Sequence, residues 1–584
     1  MKRALWLILA LTACSPSTSP APVVAAPAPQ TPLDGLLPAE QAAAARLTAS
    51  SIDAPLRYLS DDLLEGRAPS TRGSDLALRY IAAEMESIGL RPGATEGAAS
   101  SWFQRVPLVG IRSHLPATET FASATSPSST LSLAVGTDVI VGTGVQQPQV
   151  SLDVSDIVFV GYGIVAPEYQ WDDYKNVDVK GKVVLVMNDD PSSDPNLFDG
   201  KTRLWYGRWD YKYLEAARHG AAAAIIIHTT PSAGYPWQVV VSSWGASSEH
   251  FDLPATPGDP RVAAQMWGTE DACRRIARLG GKDLDVLRAA AEKREFVPVS
   301  LGVRTSLSFT NDLRTVESAN VIGVLPGSDA SLAKEAVVYT AHHDHLGNHS
   351  TDGPVAAKGA APVDTIYNGA IDNASGVAML LAIARASALS EPTKRTRLFI
   401  AVTAEEQGLL GSAWYARHPT FPAGRIAVDL NIDGANVNGR TSDLSFIGYG
   451  RSSVDAVVTA VARAQGRTVH GDAEPEKGAA YRSDQFSFGR IGVPWIFVRG
   501  GPSFVGRPEG WGKQRMDEYI ALRYHQPSDE YSKDWDYAGA VEDAQLLLVA
   551  GMRVANDPAL PSWNPGNEFE AARKAALAAD ATDQ

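Results

Sequence analysis

Beyond residue 316 the chain alternates short apolar runs with longer amphipathic ones, and few folds accommodate that order. The runs "SANVIGVL", "EAVVYTA", "RLFIAVTA", "RIAVDLNI" and "VPWIFVR" are rich in β-branched residues and read as strands. They are apolar almost throughout rather than at alternate positions, as in strands covered on both faces. Between and after them, "GVAMLLAIARASAL", "SSVDAVVTAVARAQ" and "GAVEDAQLLLVAGMRVA" carry helical periodicity. Strand alternating with helix predicts an α/β domain, with a mixed, mostly parallel central sheet flanked by helices.

At 584 residues the chain is too long for one ordinary core, so other parts fold as well. "GSDLALRYIAAEMESIGL" predicts a helix whose face is Ala77, Ile81, Met85 and Ile88, stopped by Gly89. Between about 130 and 300 the character changes. "DIVFVGYGIVAP" and "GKVVLVMND" read as strands, and "YLEAARHGAAAAIIIHTT" as a helix, a glycine break and a buried strand. Few ligand-type side chains cluster there, which marks a separate, mainly β module.

The first residues are an address rather than fold. Lys2 and Arg3 precede "ALWLILALTA", an apolar run shorter than the ~20 residues that span a bilayer. Small residues then precede Cys14, which makes a secretory signal. "LTAC" resembles the bacterial lipobox, in which cleavage leaves the cysteine as a lipid-bearing first residue. Ser15 after it favours the outer membrane, facing the periplasm or the cell surface. Residues 15–45, rich in Pro, Ala and Ser, read as a tether. The other cysteine, Cys273 in "DACRRIARLG", reads as an inert helix residue. The expected division is signal peptide 1–13, tether 14–45, first part of the main domain 46–130, insert 131–300, main domain 301–560, and a frayed or surface-helical tail 561–584.

A net charge of −14 without any Lys/Arg run excludes nucleic acid as a partner. The chemistry lies elsewhere. "TAHHDHLGNH", residues 340–349, holds four of the eleven histidines around one acid, and invites a metal. His342 and Asp344 follow the strand "EAVVYTA", Glu405 and Glu406 follow "RLFIAVTA", and Asp433 follows "RIAVDLNI". Functional groups in open α/β sheets gather beyond the carboxyl ends of strands. Three strands therefore deliver carboxylates and a histidine to one edge. Asp372 in "YNGAIDNASG" and His525 in "RYHQPSDEY" are further candidates on loops. Imidazole and carboxylate donors suit zinc, and a two-zinc site needs one shared carboxylate. No G-x-S-x-G elbow or H-E-x-x-H helix offers a competing hydrolytic route.

The ordered set "AHHD", "IDNASG", "TAEEQGLLGS", "NIDG" and "YHQPSDEY" resembles the co-catalytic zinc exopeptidases, over roughly residues 50–555. That family includes bacterial leucyl aminopeptidases, glutamate carboxypeptidase and the non-enzymatic transferrin receptor. The resemblance implies two Zn2+ ions. Asp372 is shared, Glu406 and His525 complete one ligand set, and His342 and Asp433 complete the other. It implies Glu405 as general base, Asp344 as the acid that orients His342, and hydrolysis of a terminal peptide bond by a hydroxide between the ions. The middle segment, with "GKVVLV" and "AARHGAAAAIII", resembles the protease-associated domain inserted in many members.

Several residues are weaker candidates. Tyr524, beside His525, is placed to donate a hydrogen bond to a developing oxyanion. His343 points away from the site if the strand continues, His349 is a packing or solvent residue, and His345 lines the site. Tyr481, Arg482 and Arg499 are candidates for the substrate pocket, and Gln485 stands where many relatives carry histidine. The expected activity is that of a zinc aminopeptidase acting on peptides, membrane-bound only through Cys14. A carboxypeptidase or dipeptidase, with Arg482 and Arg499 as a carboxylate clamp, is the first alternative. A receptor-like binding protein with a vestigial site is the second.

Overall fold

The 27-residue strand Val299–Leu325 ties the fold together. The protein is described by a computed structural model covering residues 35–245, 249–349 and 363–582. In the first half of this strand Leu301, Val303, Thr305, Leu307, Phe309 and Asn311 are buried and their neighbours are not. In the last part, Ser318 to Gly323 are buried without interruption. The strand thus passes from a sheet covered on one face to a sheet covered on both. It runs through residues 300 and 301, where a domain boundary was expected. The strict alternation in "LGVRTSLSFTN" is the signal that carries it there.

In the main domain the end of this strand pairs antiparallel with Thr396–Val402. Beside it lie Ala336–His342, Ile426–Asn431 and Trp495–Gly500, all parallel. Asp443–Phe446 closes antiparallel against Trp495–Gly500 and pairs with Thr468–His470. The sheet is mixed and mostly parallel, as the apolar runs require. Val337, Tyr339 and Ala341 face a core shared with the helices Gly376–Ala388 and Ala538–Asn556, while Ala336 and Val338 face another with Ile400 and Phe488. Helix Arg72–Ser87 buries Ala77, Ile81 and Met85 as its periodicity predicts, and Thr71 caps it by accepting from Ser74 N at 3.2 Å.

The insert has its own apolar cores. Gln149–Phe159, Val183–Met187, Ala223–His228 and Ala264–Thr269 run parallel, with Val139–Thr143 antiparallel at the side. Its pairing with the main body begins earlier than residue 131: Phe103–His114 lies antiparallel along Thr310–Val321. Cys273 is fully buried, and burial pushes its thiol up to about 12, so it is inert.

One terminal expectation changes, and of the two readings of the tail the surface helix holds. Helix Pro38–Ala44 falls inside the expected tether, but Ala43 and Ala44 are fully buried and Glu40 pairs with Arg553 at 2.8 Å. Folded chain therefore starts by Leu36; the signal peptide, Cys14 and most of the tether lie outside the described residues. Beyond 560, Trp563 and Phe569 are buried and Arg573 donates to the Ile426 carbonyl at 2.9 Å. These contacts fasten the terminal helix Glu570–Thr582 to the domain.

Candidate active site

Parallel strands place their carboxyl ends at one edge, and the acids and histidines collect there. His342 ends its strand, Glu405 lies three residues beyond Val402, and Asp433 two beyond Asn431. Asp372 enters from the segment Ala370–Ser375 that opens the buried helix. His525 follows helix Trp511–Leu522 in a left-handed backbone conformation, φ +56°. Such conformations in non-glycine residues concentrate at functional sites.

The six side chains meet closely. His342 Nε2 lies 3.2 Å from Asp372 Oδ1 and 3.4 Å from Asp433 Oδ1. His525 Nε2 lies 3.3 Å from Asp372 Oδ2 and 3.1 Å from Glu406 Oε2. Asp372 thus offers one oxygen to each imidazole. The donor atoms of His342, Asp372 and Glu406, and likewise of His342, Glu405 and Asp433, fall within 4.8 Å of one another. His345 Nδ1 holds Glu406 Oε1 at 2.6 Å, so His345 does line the site. His343 turns away to the Ala319 carbonyl at 3.1 Å, and His349 to the Leu346 carbonyl at 3.1 Å.

The electrostatics show a site short of positive charge. Burial pushes His342 down, but Glu405, Asp372 and Asp433 outweigh it and hold the imidazole well above its ordinary range. Burial opposes His525 as well, yet Glu406 and Asp372 carry it up to about 10. Burial raises Glu406, and His525 and His345 bring it down to about 2. Glu405 behaves differently, because burial lifts it well above the carboxylate range and His342 only partly offsets this. Four carboxylates around two imidazoles, with open nitrogen and oxygen donors, fit dications of the zinc type.

Asp344 acts otherwise than expected. Its carboxylate is 3.9 Å from His342 Nδ1, which instead faces the Asp344 main-chain carbonyl at 3.3 Å. The carboxylate oxygens accept the amides of Glu405 at 3.1 Å and Glu406 at 3.3 Å. One residue orients the histidine through its backbone and the two glutamates through its side chain.

Sequence reasoning passed over four supporting residues. Asn373 donates to the Ile432 carbonyl at 2.9 Å and accepts from Gly376 N and Gly434 N, tying Asp372 to Asp433. Gly376 must be glycine, since a Cβ there would lie 2.0 Å from Asn373 Oδ1. Asp529 accepts the amides of Ile371 at 3.2 Å and Asp372 at 3.0 Å. Arg67 is buried and donates to the carbonyls of Leu59, His343, Asn368 and Gly369. Asp484 is fully buried, and burial lifts it to about 6. Asn373 and Asp529 lie inside the quoted motifs, whereas Asp484 and Arg67 lie outside them.

The weaker candidates separate. Tyr524 lies tilted by 33° against the His525 ring, centroids 4.0 Å apart, and its hydroxyl faces Arg482 at 3.5 Å. Arg499 reaches Asp433 at 4.0 Å. Tyr481 is buried with its hydroxyl on Glu568, so it does not line the pocket. Gln485 is also buried, accepting from Asn431 at 2.7 Å and donating to the Ala480 carbonyl at 3.0 Å. It is a strut beside the strand that carries Asp433.

This arrangement is a cluster of candidate metal ligands built on the strand ends of a mixed α/β sheet. Residues 320–549 match the model of Peptidase family M28. Aminopeptidase NAALADL1 of Rattus norvegicus is 28% identical over 246 residues, 34% of this chain and 30% of the relative. A vacuolar membrane protease of Candida dubliniensis is 31% identical over 124 residues, 21% of this chain and 11% of the relative. The chain therefore spans less than a third of the length of these curated relatives. Among solved structures, an aminopeptidase from Aneurinibacillus sp. strain AM-1 shares the fold. It has a TM-score of 0.51 at 19% identity, covering 90% of this chain and 98% of that one.

Proposed function

We propose that the protein is a di-zinc aminopeptidase that removes N-terminal residues from peptides. The observation that carries the reading is Asp372, which presents one carboxylate oxygen to His342 and the other to His525. A carboxylate so placed belongs between two ligand sets, His342 with Asp433 and His525 with Glu406. The ions, when bound, supply Lewis-acid activation of the scissile carbonyl and of the attacking water.

The chain's own residues do the rest. Glu405, whose carboxyl burial holds above its ordinary range, takes the proton of the attacking water. It returns that proton to the leaving amine as the C–N bond breaks. Asp344 fixes the Glu405 amide, so the base approaches from a set direction. Tyr524, beside Arg482, is the donor assigned to the oxyanion.

The similarity to proteins named aminopeptidases favours the amino terminus. The Arg482 guanidinium lies over the Tyr235 ring at 4.9 Å, and that of Arg499 over Phe497 at 4.9 Å. A vestigial receptor-like site would lack ligands, and here the set and the base are complete. Residues 131–300 are assigned as a protease-associated domain. The chain is assigned as an exported lipoprotein of the outer membrane, anchored at Cys14. Among the described residues no helix is long and apolar enough to cross a membrane.

Metal analysis combined with free, N-blocked and C-blocked peptides tests this. Two zinc ions per chain and cleavage of free and C-blocked peptides are expected. Cleavage confined to N-blocked peptides would make the enzyme a carboxypeptidase, and absence of zinc would end the reading.

A further inference from the structure

We infer that the inserted module supplies a working part of the metal centre: Ser243 positions His525. Ser243 sits near the end of helix Trp237–Trp244, and its Oγ lies 2.7 Å from His525 Nδ1. His525 turns Nε2 to Asp372 and Glu406, the side on which a metal ion would sit. With Nε2 given to a metal, the proton of the neutral ring would be on Nδ1 and would be donated to the serine oxygen. A metal-binding histidine needs such a partner to fix its tautomer and ring angle.

The two histidines are held in different ways. His342 rests on a carbonyl two residues along its own chain, so its orientation is set locally. His525 stands in a loop with a left-handed backbone, and its Nδ1 partner comes from a residue 282 positions away. The ring angle of His525 is thus decided by where the module sits.

That placement is fixed on either side of Ser243. Tyr235 carries the Arg482 guanidinium on its ring at 4.9 Å. Phe251 N donates to Gln407 Oε1 at 3.0 Å, and Gln407 directly follows Glu406. Ser243 itself borders a cavity of about 50 Å³ whose lining mixes Trp209, Trp244 and Trp267 with Thr143, His250 and Gln265.

This inference rests on the two-zinc reading, and the test separates the two. Full-length zinc-loaded protein is titrated with a chromogenic chelator, comparing wild type, Ser243→Ala, Ser243→Thr, and each change in a His525→Ala background. Ser243→Ala is expected to weaken one of the two ions about 10–100-fold, leaving the other unchanged. Ser243→Thr restores it, and Ser243→Ala has no further effect when His525 is absent. Equal affinities in wild type and Ser243→Ala would overturn the inference while leaving the two-zinc site intact. So would a loss shared equally by both ions with a lower melting temperature of the metal-free protein. Wild type that binds no zinc removes the parent reading instead.

Discussion

Glu405→Gln is the substitution that separates two roles the geometry allows. The Glu405 donor atoms lie within 4.8 Å of those of His342 and Asp433, close enough for a ligand, yet the resemblance makes this residue the base. Glutamine keeps the shape and cannot accept a proton. The backbone has no reason to move: the Glu405 amide is held by Asp344, and its carbonyl accepts from Gly408 at 2.9 Å and Leu409 at 2.8 Å. Loss of a general base costs about 10²–10⁴ in rate, or ~2.7–5.4 kcal/mol of barrier at ~1.36 kcal/mol per tenfold. Steady-state hydrolysis of an aminoacyl chromogenic substrate reads kcat, and elemental analysis on the same preparation reads zinc. The expected result is kcat down by at least about 10² with two zinc ions retained. Activity within about threefold of wild type would refute the base, being far short of that loss. Parallel loss of zinc would make Glu405 a ligand.

Three further outcomes follow from the same contacts. Stripping zinc leaves four carboxylates crowded at the strand ends, so chelation lowers the melting temperature; zinc at about a thousand times its Kd restores ~4 kcal/mol, and an unchanged temperature speaks against a native site. Arg67→Met removes the donor to four buried carbonyls and costs about 3–5 kcal/mol in urea unfolding, whereas a change under about 1 kcal/mol would mean the carbonyls find other partners. Glu119 is buried beside Thr305, whose hydroxyl reaches both the Glu119 carboxyl and the Thr120 carbonyl, the latter at 2.9 Å. Burial lifts Glu119 from 4.5 to about 7, only partly offset by the hydrogen bond from Thr305. A folded-state pKa above the unfolded one gives stability that is full below about pH 4.5 and lost as pH rises through about 7, some 3 kcal/mol in all. Glu119→Gln should flatten that fall; parallel curves for the two proteins would rule it out.

Much of the main domain was legible because its signals are local. The buried strands are continuous apolar runs, and the helices Gly376–Ala388 and Ala538–Asn556 lie within a residue or two of their periodic segments. His342, Glu406, Asp433 and Asp372 could be found because each ends or follows a strand or opens a helix, whereas His525 stands on a loop. Some features were misjudged for equally physical reasons. The Pro/Ala-rich start looked like a tether throughout, but Ala43 and Ala44 pack where small residues are needed against a neighbouring helix. Arg67 resembles any surface arginine until four carbonyls converge on it.

The sequence by itself determined the α/β alternation, the edge at which the acids and histidines collect and which side chains are candidate donors, since these depend on periodicity and on side-chain type. Only the tertiary structure decided how the donors are aimed. Asp344 serves three groups through two kinds of atom, Asp372 divides its oxygens between two imidazoles, and His525 leans on a serine from another module. Those relations depend on angles and distances between segments far apart in the chain, and no local pattern encodes them.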